Sequence, residues 1–389
     1  MGWGGPPLVA VVAWLLVIGC QAPVNACARG TTPIELGFSL GFTTVNVEKA
    51  ATCMLRPSRP STAAEVAITS ADDSISLHYL MPDVRKRTQD VLSTMARQGA
   101  IGLRTHVWYR HAEDAAMVER MGRVNDPLGL LVAQSGRLPA GSIDNLIGYL
   151  SDAAQLGYRR AVIVASAQGT ANPKCRRGGW GACYDSSLDG ASWKVVEQLV
   201  SAIAARKPEG LEVSIDISPE GCFDPNSPAL VERNLESYTR FMVTNYSRRF
   251  GDRNFLVSCA AARAQRVLPQ LIALRALYAE TGTIPASVDV HIYEKDPGGI
   301  LRILAGSEDL SRVLGVPLDV NETYSDHQTF FNLLMNTPTS LRGLMVFPRE
   351  LVSHCQINVA APYPIAQIRH AINGEGACRP VPPYLQMPP

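Results

Sequence analysis

The sequence predicts a single α/β domain that folds as a parallel (β/α)8 barrel. Eight short apolar segments, rich in β-branched residues, alternate with longer segments of helical periodicity along the 389 residues of the chain. Strands that alternate with helices form a parallel sheet, because each helix returns the chain to the same edge. An open doubly wound sheet is the alternative, but no GxGxxG phosphate loop follows the first predicted strand.

The strands are predicted from runs of Val, Ile and Leu with few charges. In chain order they are 34–41, 100–107, 160–167, 211–218, 255–261, 287–293, 317–324 and 342–348. Helices are predicted from apolar residues at helical spacing and from capping signals, such as Ser142 at a start and Gly99 at an end. They are 83–99, 142–157, 191–206, 229–250, 264–281, 299–314, 326–336 and 363–373.

Two longer segments are predicted as insertions after strands one and three. Residues 43–82 contain a predicted hairpin, and residues 168–190 are rich in glycine and cysteine. Both follow strands, so both are expected on the face where barrels carry their active sites. In the second segment we predict a disulfide between Cys175 and Cys183, which would make the loop around Trp180 rigid.

The first 26 residues resemble a signal peptide, so we do not expect them to form part of the barrel. Leu8–Gly19 is an apolar run of 12 residues, too short to cross a bilayer. It ends in "VIGC", which resembles a bacterial lipoprotein sequence and would anchor the chain to a membrane through a lipidated Cys20. The "VNA" before Cys27 fits ordinary signal peptidase instead. We therefore predict a secreted or envelope-attached protein whose barrel domain is 27–389.

The composition is that of a soluble globular protein. Hydrophobic residues make up 46% of the chain, enough for a large core. The net charge of +1 argues against nucleic acid as a partner. Eight cysteines remain when Cys20 is set aside, and export permits disulfides between them. Because no CxxC occurs, we expect no thiol-rich zinc site. We also expect the protein to be a monomer.

Polar and aromatic side chains gather where the predicted strands end. In a parallel barrel these ends meet in one mouth. Strands two to four carry Arg104, His106, Trp108, Tyr109, Ser166, Gln168, Asp216 and Glu220. Strands six to eight carry His291, Tyr293, Asn321, Glu322, Tyr324, Phe347, Arg349 and Glu350.

Two of these carboxylates suggest glycosidic cleavage. Glu220 on strand four and Glu322 on strand seven face each other across the predicted mouth. One carboxyl must give a proton to the leaving oxygen, and the other must attack the anomeric carbon or activate water. Aromatic rings such as Trp108 and Trp180 are suited to stack on sugar rings.

With these motifs, the chain resembles the retaining glycoside hydrolases of clan A, of the cellulase-like family 5 type, over 34–374. "MARQGAIGLRTHV" resembles the passage into strand two that ends at an Arg, here Arg104, and "DVHIY" resembles the His-x-Tyr of strand six. "PLDVNETY" resembles the nucleophile segment, and "SPEG" stands where the family has Asn-Glu.

The resemblance implies a retaining enzyme that acts on a β-linked glycan without a cofactor or metal. Glu322 would be the nucleophile and Glu220 the general acid/base. Tyr293 and Arg104 would orient Glu322 and hold it ionised. The implied substrate-binding residues are Arg104, His106, Trp108, Trp180, His291, Tyr293, Tyr324 and Phe347.

The chain also departs from the family pattern. Pro219 replaces the Asn before the acid/base, Ser166 and Gln168 stand in place of the strand-three His, and Phe347 stands in place of a Trp. These departures keep open an inactive barrel that binds polysaccharide. "DISPE" also half-resembles the D-x-D-x-E of chitinase-like barrels, which keeps open an inverting or substrate-assisted enzyme that uses Asp216 with Glu220.

Overall fold

The computed structural model describes residues 35–41, 80, 82–97, 99–114, 131–175, 181–218, 229–252, 254–261, 263–323, 327–337, 339–346, 352–353 and 356–357. The strands are β1 (Glu35–Gly41), β2 (Gly102–His111), β3 (Leu131–Ala133), β4 (Arg160–Ala167), β5 (Glu212–Asp216), β6 (Phe255–Leu256), β7 (Ser258–Ala261), β8 (Val288–Ile292), β9 (Leu318–Thr323), β10 (Leu341–Val346), β11 (Val352–Ser353) and β12 (Gln356–Ile357). The helices are α1 (Pro82–Arg97), α2 (Ala140–Gln155), α3 (Asp189–Arg206), α4 (Ala229–Phe250), α5 (Ala264–Thr281), α6 (Pro297–Leu314) and α7 (Gln328–Asn336).

The main sheet closes on itself as a barrel of eight parallel strands. Its order is β6-β5-β4-β2-β1-β10-β9-β8-β7, and β1 pairs with β10 at one junction. The other junction lies within one segment, because β6 pairs with β5 while β7, after a single intervening residue, pairs with β8. Val257 therefore marks the point where the fifth barrel strand passes from one neighbour to the other.

The prediction of an α/β barrel is confirmed. All eight predicted strands are present, with ends within four residues of those expected, and seven of the eight helices are present. The predicted helix 363–373, the hairpin within 43–82 and the signal peptide lie outside the described residues. The helix predicted to start with a cap at Ser142 begins at Ala140 instead, and Ser142 Oγ donates to the carbonyl of Pro139.

The second barrel strand is longer than predicted. It continues to His111, and its last residues pair with the short strand β3, which the sequence did not predict. Trp108 and Tyr109 therefore lie inside β2 and not in a loop beyond it. The extension carries β2 beyond the ends of its two neighbours, because the last residue of β1, Gly41, pairs with His106 and the last residue of β4, Ala167, pairs with Tyr109.

The apolar core lies mostly between the barrel and its helices. Among the residues whose side chains the structure describes, the apolar cluster inside the barrel consists of Val162, Val164, Leu256 and Met345. Polar layers lie above and below this cluster. The interior of the barrel is thus unusually rich in charged groups, which must be paired because burial penalises an isolated charge.

The lower polar layer closes the floor of the barrel. Arg160, which is 2% exposed, places Nη1 2.5 Å from Oδ1 of Asp319, and Arg342 holds the other oxygen of Asp319 at 2.6 Å. Burial alone would raise the pKa of Asp319, but the two guanidinium groups hold it below its ordinary value. Within the described part of the chain, no helix is long and apolar enough to cross a membrane.

Candidate active site

The strand β2 supplies three neighbouring side chains to the barrel mouth. Arg104, His106 and Trp108 alternate along the strand, so all three point to the same face. Arg104 is fully buried, while His106 and Trp108 are partly exposed nearer the rim. Trp108 donates its indole N–H to Nδ1 of His106 at 3.1 Å. From the barrel interior toward the rim, this strand therefore provides a cation, an imidazole and an aromatic ring.

A β-bulge directs Glu322 into the same mouth. In a regular strand, Asp319 and Glu322 would point to opposite faces, because side chains alternate. The pairing of β9 with β8 shifts register between Val320 and Glu322, so Glu322 lies opposite His291. Asn321 is the extra residue, and both carboxylates face the barrel interior. Bulges of this kind often re-aim a side chain at a functional site.

Four groups converge on the two carboxylate oxygens of Glu322. Oε1 accepts a hydrogen bond from Nη1 of Arg104 and lies 3.3 Å from Nε2 of His106. Oε2 accepts a hydrogen bond from the phenol of Tyr293 and lies 3.3 Å from Nδ1 of His291. The side chain is 5% exposed, so it reaches solvent only through the mouth. These donors stabilise the ionised carboxylate.

A second group of acidic residues lies directly beneath Arg104. Nη2 of Arg104 is 3.3 Å from Oδ2 of Asp216, and the same Asp216 oxygen accepts a hydrogen bond from Ser258. Ser258 Oγ is also 2.6 Å from Oδ2 of Asp289. Asp289 in turn lies 3.8 Å from Nε2 of His291. A chain of polar contacts therefore runs from Glu322 through Arg104 and the residues beneath it to His291, which also contacts Glu322.

Asp216 binds a proton more readily than an exposed aspartate does. Complete burial raises the pKa of Asp216, Arg104 opposes this effect, and the nearby Asp289 adds to it. The net direction is upward. Because Asp216 is fully buried under Arg104, it has no open path to a substrate. This position does not suit the substrate-assisted reaction in which Asp216 would bind the sugar directly.

The structure brings together six of the ten residues predicted for the site. They are Arg104, His106, Trp108, His291, Tyr293 and Glu322. The other four, Glu220, Trp180, Tyr324 and Phe347, lie outside the described residues. The separation of Glu220 from Glu322 therefore stays a prediction. The disulfide predicted in the loop after β4 is present, with the Cα atoms of Cys175 and Cys183 5.7 Å apart.

Sequence reasoning missed the roles of Ser258 and Asp289. Both lie in predicted strands, "FLVSCAA" and "SVDVHIY", which are mostly apolar. A polar residue at an inward position of such a strand is the signal that could have found them. Predictions based on strand tips do not include these residues, because they lie one layer lower in the barrel.

Comparison with known proteins finds similarity in structure but not in sequence. No protein-family model matches the chain, and no curated protein sequence matches it. A GH5_18 protein from Bifidobacterium longum subsp. infantis is 11% identical, with a TM-score of 0.50, over 90% of this chain and 81% of that one. A GH5_18 variant from Streptomyces cattleya, solved with Manβ1-4GlcNAc, is 12% identical, with a TM-score of 0.49, over 79% of each chain.

The endo-β-1,4-mannanase from Thermotoga petrophila is also similar, at 12% identity and a TM-score of 0.45, over 90% of this chain and 79% of that chain. At such low sequence identity, structural similarity indicates a shared fold but not a shared activity. The chemistry of this chain must be argued from its own residues. The chain has the (β/α)8 barrel fold that the infantis GH5_18 protein also has.

Proposed function

We propose that this protein is a glycoside hydrolase that cleaves a β-linked glycan by a retaining double displacement. The observation that carries the proposal is the setting of Glu322. One carboxylate stands at the end of the seventh barrel strand, within reach of the mouth, with four potential hydrogen-bond donors around its two oxygens. A carboxylate held ionised and immobile, yet open on one side, is suited to attack an anomeric carbon.

The reaction has two steps, and each conserves charge and protons. In the first, a lone pair of the Glu322 carboxylate forms a bond to the anomeric carbon as the glycosidic C–O bond breaks. The carboxyl of Glu220 gives its proton to the leaving oxygen. In the second, Glu220 takes a proton from water, and the resulting hydroxyl displaces Glu322 from the sugar. Both residues then regain their starting states.

The neighbours of Glu322 have distinct tasks in this scheme. Arg104 balances the negative charge of the free carboxylate. Tyr293 and His291 fix Oε2, which limits rotation of the carboxylate plane. Fixing the nucleophile in this way lowers the entropy cost of reaching the transition state. Trp108 at the rim, with Trp180, Tyr324 and Phe347, is proposed to line the sugar-binding cleft.

The proposal is tested with a panel of aryl β-glycosides and the variants Glu322→Gln and Glu220→Gln. Glu322→Gln should lose turnover while its unfolding curve stays close to that of the wild type. Glu220→Gln should lose roughly 100-fold to 10,000-fold on substrates with poor leaving groups and much less on activated ones. Added azide should restore turnover of an activated substrate by the Glu220 variant, because azide needs no general base.

A matched control is Glu197→Gln, on the outer surface of α3, where Glu197 pairs with Arg249. It should leave all rates unchanged. If Glu322→Gln hydrolyses substrate at the wild-type rate, the nucleophile assignment is wrong. Binding of polysaccharide without hydrolysis by the wild type would favour the inactive barrel instead.

We further propose that the chain is exported. The apolar run Leu8–Gly19 and the Cys175–Cys183 disulfide support this, since disulfides persist in oxidising compartments. Fractionation of expressing cells tests it, and metabolic labelling with a fatty acid, with Cys20→Ala as control, separates lipid anchoring from simple secretion. Recovery of the protein from the cytoplasm with an intact N-terminus would contradict export.

A further inference from the structure

The buried residues Asp216, Ser258 and Asp289 form a bridge between two carboxyl groups. One oxygen of each carboxyl lies within hydrogen-bond distance of the single hydroxyl of Ser258, at 2.6 Å in the case of Asp289. All three residues are at most 1% exposed. They come from three consecutive barrel strands, β5, β7 and β8, one layer below Glu322.

The hydrogen count at this bridge requires an extra proton. A serine hydroxyl has one hydrogen and can donate to only one of the two carboxyls. If both were ionised, the second carboxylate oxygen would face the lone pairs of Ser258 Oγ with no proton between them. One carboxyl must therefore carry a proton and donate it to Ser258, which donates to the other. The pair then holds one proton and one negative charge, and the proton belongs to the pair and not to either residue.

The charges around the bridge show what this remaining negative charge can do. Arg104 lies between Glu322 above and Asp216 below, and contacts both. His291 faces both Asp289 and Glu322. In the layer below, Asp319 is already paired with Arg160. The carboxyl pair is thus the anionic partner of Arg104 on the side away from the mouth.

We propose that Asp216, Ser258 and Asp289 are positioning residues that share one proton and keep the guanidinium of Arg104 paired throughout the reaction cycle. Their role in catalysis rests on the proposed function. When Glu322 bonds to the sugar, its negative charge is consumed and Arg104 loses its upper partner. The negative charge of the carboxyl pair stays in contact with Arg104 from below, so the buried guanidinium always has an anionic partner.

This arrangement gives the two aspartates different sensitivities. In Asp289→Asn, the side-chain amide can donate to Ser258 as the protonated carboxyl does, and Asp216 keeps the negative charge beside Arg104. In Asp216→Asn, the negative charge moves to Asp289, which does not contact Arg104. The two substitutions are alike in size, and each leaves one ionised carboxyl at the bridge, so they form a matched pair.

The shared proton is tested by isotope-edited infrared spectroscopy of protein labelled with ¹³C-aspartate at neutral pH. The wild type should show the C=O stretch of a protonated aspartic acid, and both Asp216→Asn and Asp289→Asn should lose it. The control Asp189→Asn should keep it, because Asp189 is a separate buried carboxyl hydrogen-bonded to Tyr184. A wild-type spectrum without this band, or a band that both variants keep, would overturn the proposal.

The positioning role is tested by the rate at which a 2-deoxy-2-fluoro glycoside inactivates each variant, which reports formation of the glycosyl-enzyme. Asp216→Asn should be roughly 100-fold slower than the wild type through displacement of Arg104, and Asp289→Asn should slow inactivation at least about tenfold less than Asp216→Asn does. Equal effects of the two substitutions would overturn the role. If Asp216→Asn fails to fold, Ser258→Ala tests the same point, because loss of the bridging hydroxyl should shift the frequency of the band and slow inactivation about tenfold.

The two readouts separate this inference from the proposed function. If the infrared band behaves as expected but no glycoside is hydrolysed, the shared proton stands and the glycosidase assignment fails. If glycosides are hydrolysed through Glu322 but the band is absent, the glycosidase assignment stands and the shared proton is wrong.

Discussion

Trp108 donates its indole N–H to Nδ1 of His106 across 3.1 Å. An indole can only donate, so Nδ1 holds a lone pair and the hydrogen of the neutral imidazole is on Nε2. Nε2 lies 3.3 Å from Oε1 of Glu322 and 2.6 Å from Nη1 of Arg104. Arg104 is also only a donor, so the indole and the guanidinium compete for the single lone pair of the neutral imidazole. The bond from Trp108 to Nδ1 favours the tautomer in which Nε2 carries the hydrogen and can donate to Oε1 of Glu322. Trp108 therefore determines which nitrogen of His106 presents a hydrogen to Glu322.

The first prediction is that Trp108→Phe releases His106 from this tautomer. The ring volume is largely kept, but the donor to Nδ1 is lost. We expect kcat/KM on an aryl β-glycoside to fall about fivefold to tenfold, which corresponds to one hydrogen bond. The ¹⁵N chemical shifts of His106 should move toward a mixture of tautomers.

The control is Trp193→Phe, since Trp193 packs against Tyr246 and Phe250 between helices. It should lower thermal stability and leave the His106 nitrogen shifts alone. Unchanged ¹⁵N shifts in Trp108→Phe would contradict the tautomer assignment.

The second prediction concerns the shape of the Arg104 side chain. Its two terminal nitrogens contact different carboxylates, Glu322 and Asp216. A lysine is a single point of charge and cannot make both contacts in this geometry. Arg104→Lys should therefore lower kcat roughly 100-fold or more, because the nucleophile is no longer fixed. Steady-state kinetics on an aryl β-glycoside measure the change.

The floor of the barrel offers a matched control. Arg342 also bridges two carboxylates, Asp319 and Glu212, but at the end opposite the mouth. Arg342→Lys should lower the free energy of unfolding and leave kcat unchanged. Equal losses of kcat in the two variants would show that Arg104 acts only through stability.

The fold could be predicted from the sequence because its signal is repeated many times. Each β/α unit carries its own apolar strand and amphipathic helix, so errors of a few residues at an end do not alter the architecture. β3 was missed because its three residues gain their structure by pairing with the extended end of β2. Pairing with a distant segment leaves no local pattern to read.

The candidate site could be predicted only where side chains stand at strand tips. Simple alternation along "LDVNET" would have turned Glu322 away from the face that holds Asp319, and only the motif around it indicated otherwise. The bulge that resolves this conflict depends on register between β8 and β9. The contacts of Asp216, Ser258 and Asp289 depend on barrel closure, which brings distant segments together within one layer.

The third prediction is that Gly343→Ala destabilises the protein through the barrel floor. A Cβ at Gly343 would lie 1.7 Å from Nη2 of Arg160. Arg160 cannot move aside freely, because it is buried and paired with Asp319. Displacing it breaks a buried ion pair, which costs about 3 kcal/mol of unfolding free energy. Denaturant unfolding measures the loss.

Gly141→Ala is the control for this substitution. Gly141 lies in α2, and a Cβ there would meet no atom within 4 Å. The change should be neutral or should stabilise the helix by about 0.5–1 kcal/mol. A Gly343→Ala variant as stable as the wild type would show that the floor can rearrange around Arg160.

The fourth prediction concerns the Cys175–Cys183 disulfide. The loop it closes is tied to the rest of the fold at Gly181, whose carbonyl accepts a hydrogen bond from Asn234 of α4 at 3.0 Å. Replacing both cysteines with serine should lower the unfolding free energy by about 2–3 kcal/mol, the value for a cross-link over a short loop. A reducing agent should lower the melting temperature of the wild type more than that of the double variant, because only the wild type has this disulfide to lose. A wild type insensitive to reduction would contradict this.

The last prediction uses a buried carboxyl at the start of α3. Tyr184 donates to Asp189, with its phenol oxygen 2.7 Å from Oδ1 and 2.8 Å from Oδ2. Burial raises the pKa of Asp189 from 3.8 to about 6, the bond from Tyr184 opposes this, and the charge of Asp185 adds to it. The folded state therefore binds this proton more tightly than the unfolded chain does.

The sign of the pH effect follows from that difference. Well below pH 3.8 the carboxyl is protonated in both the folded and the unfolded chain, and its full contribution to the free energy of unfolding is present. As the pH rises toward 6, the unfolded chain ionises first, so the free energy of unfolding of the wild type should fall by about 1–2 kcal/mol from this group. Asp189→Asn should remove that slope, because an amide does not titrate. Urea unfolding at intervals across this range measures both proteins, and the difference between them isolates Asp189 from other carboxyls such as Asp216 and Asp319, which are common to both. Parallel curves for the two proteins would show that Asp189 ionises alike in the folded and unfolded chains.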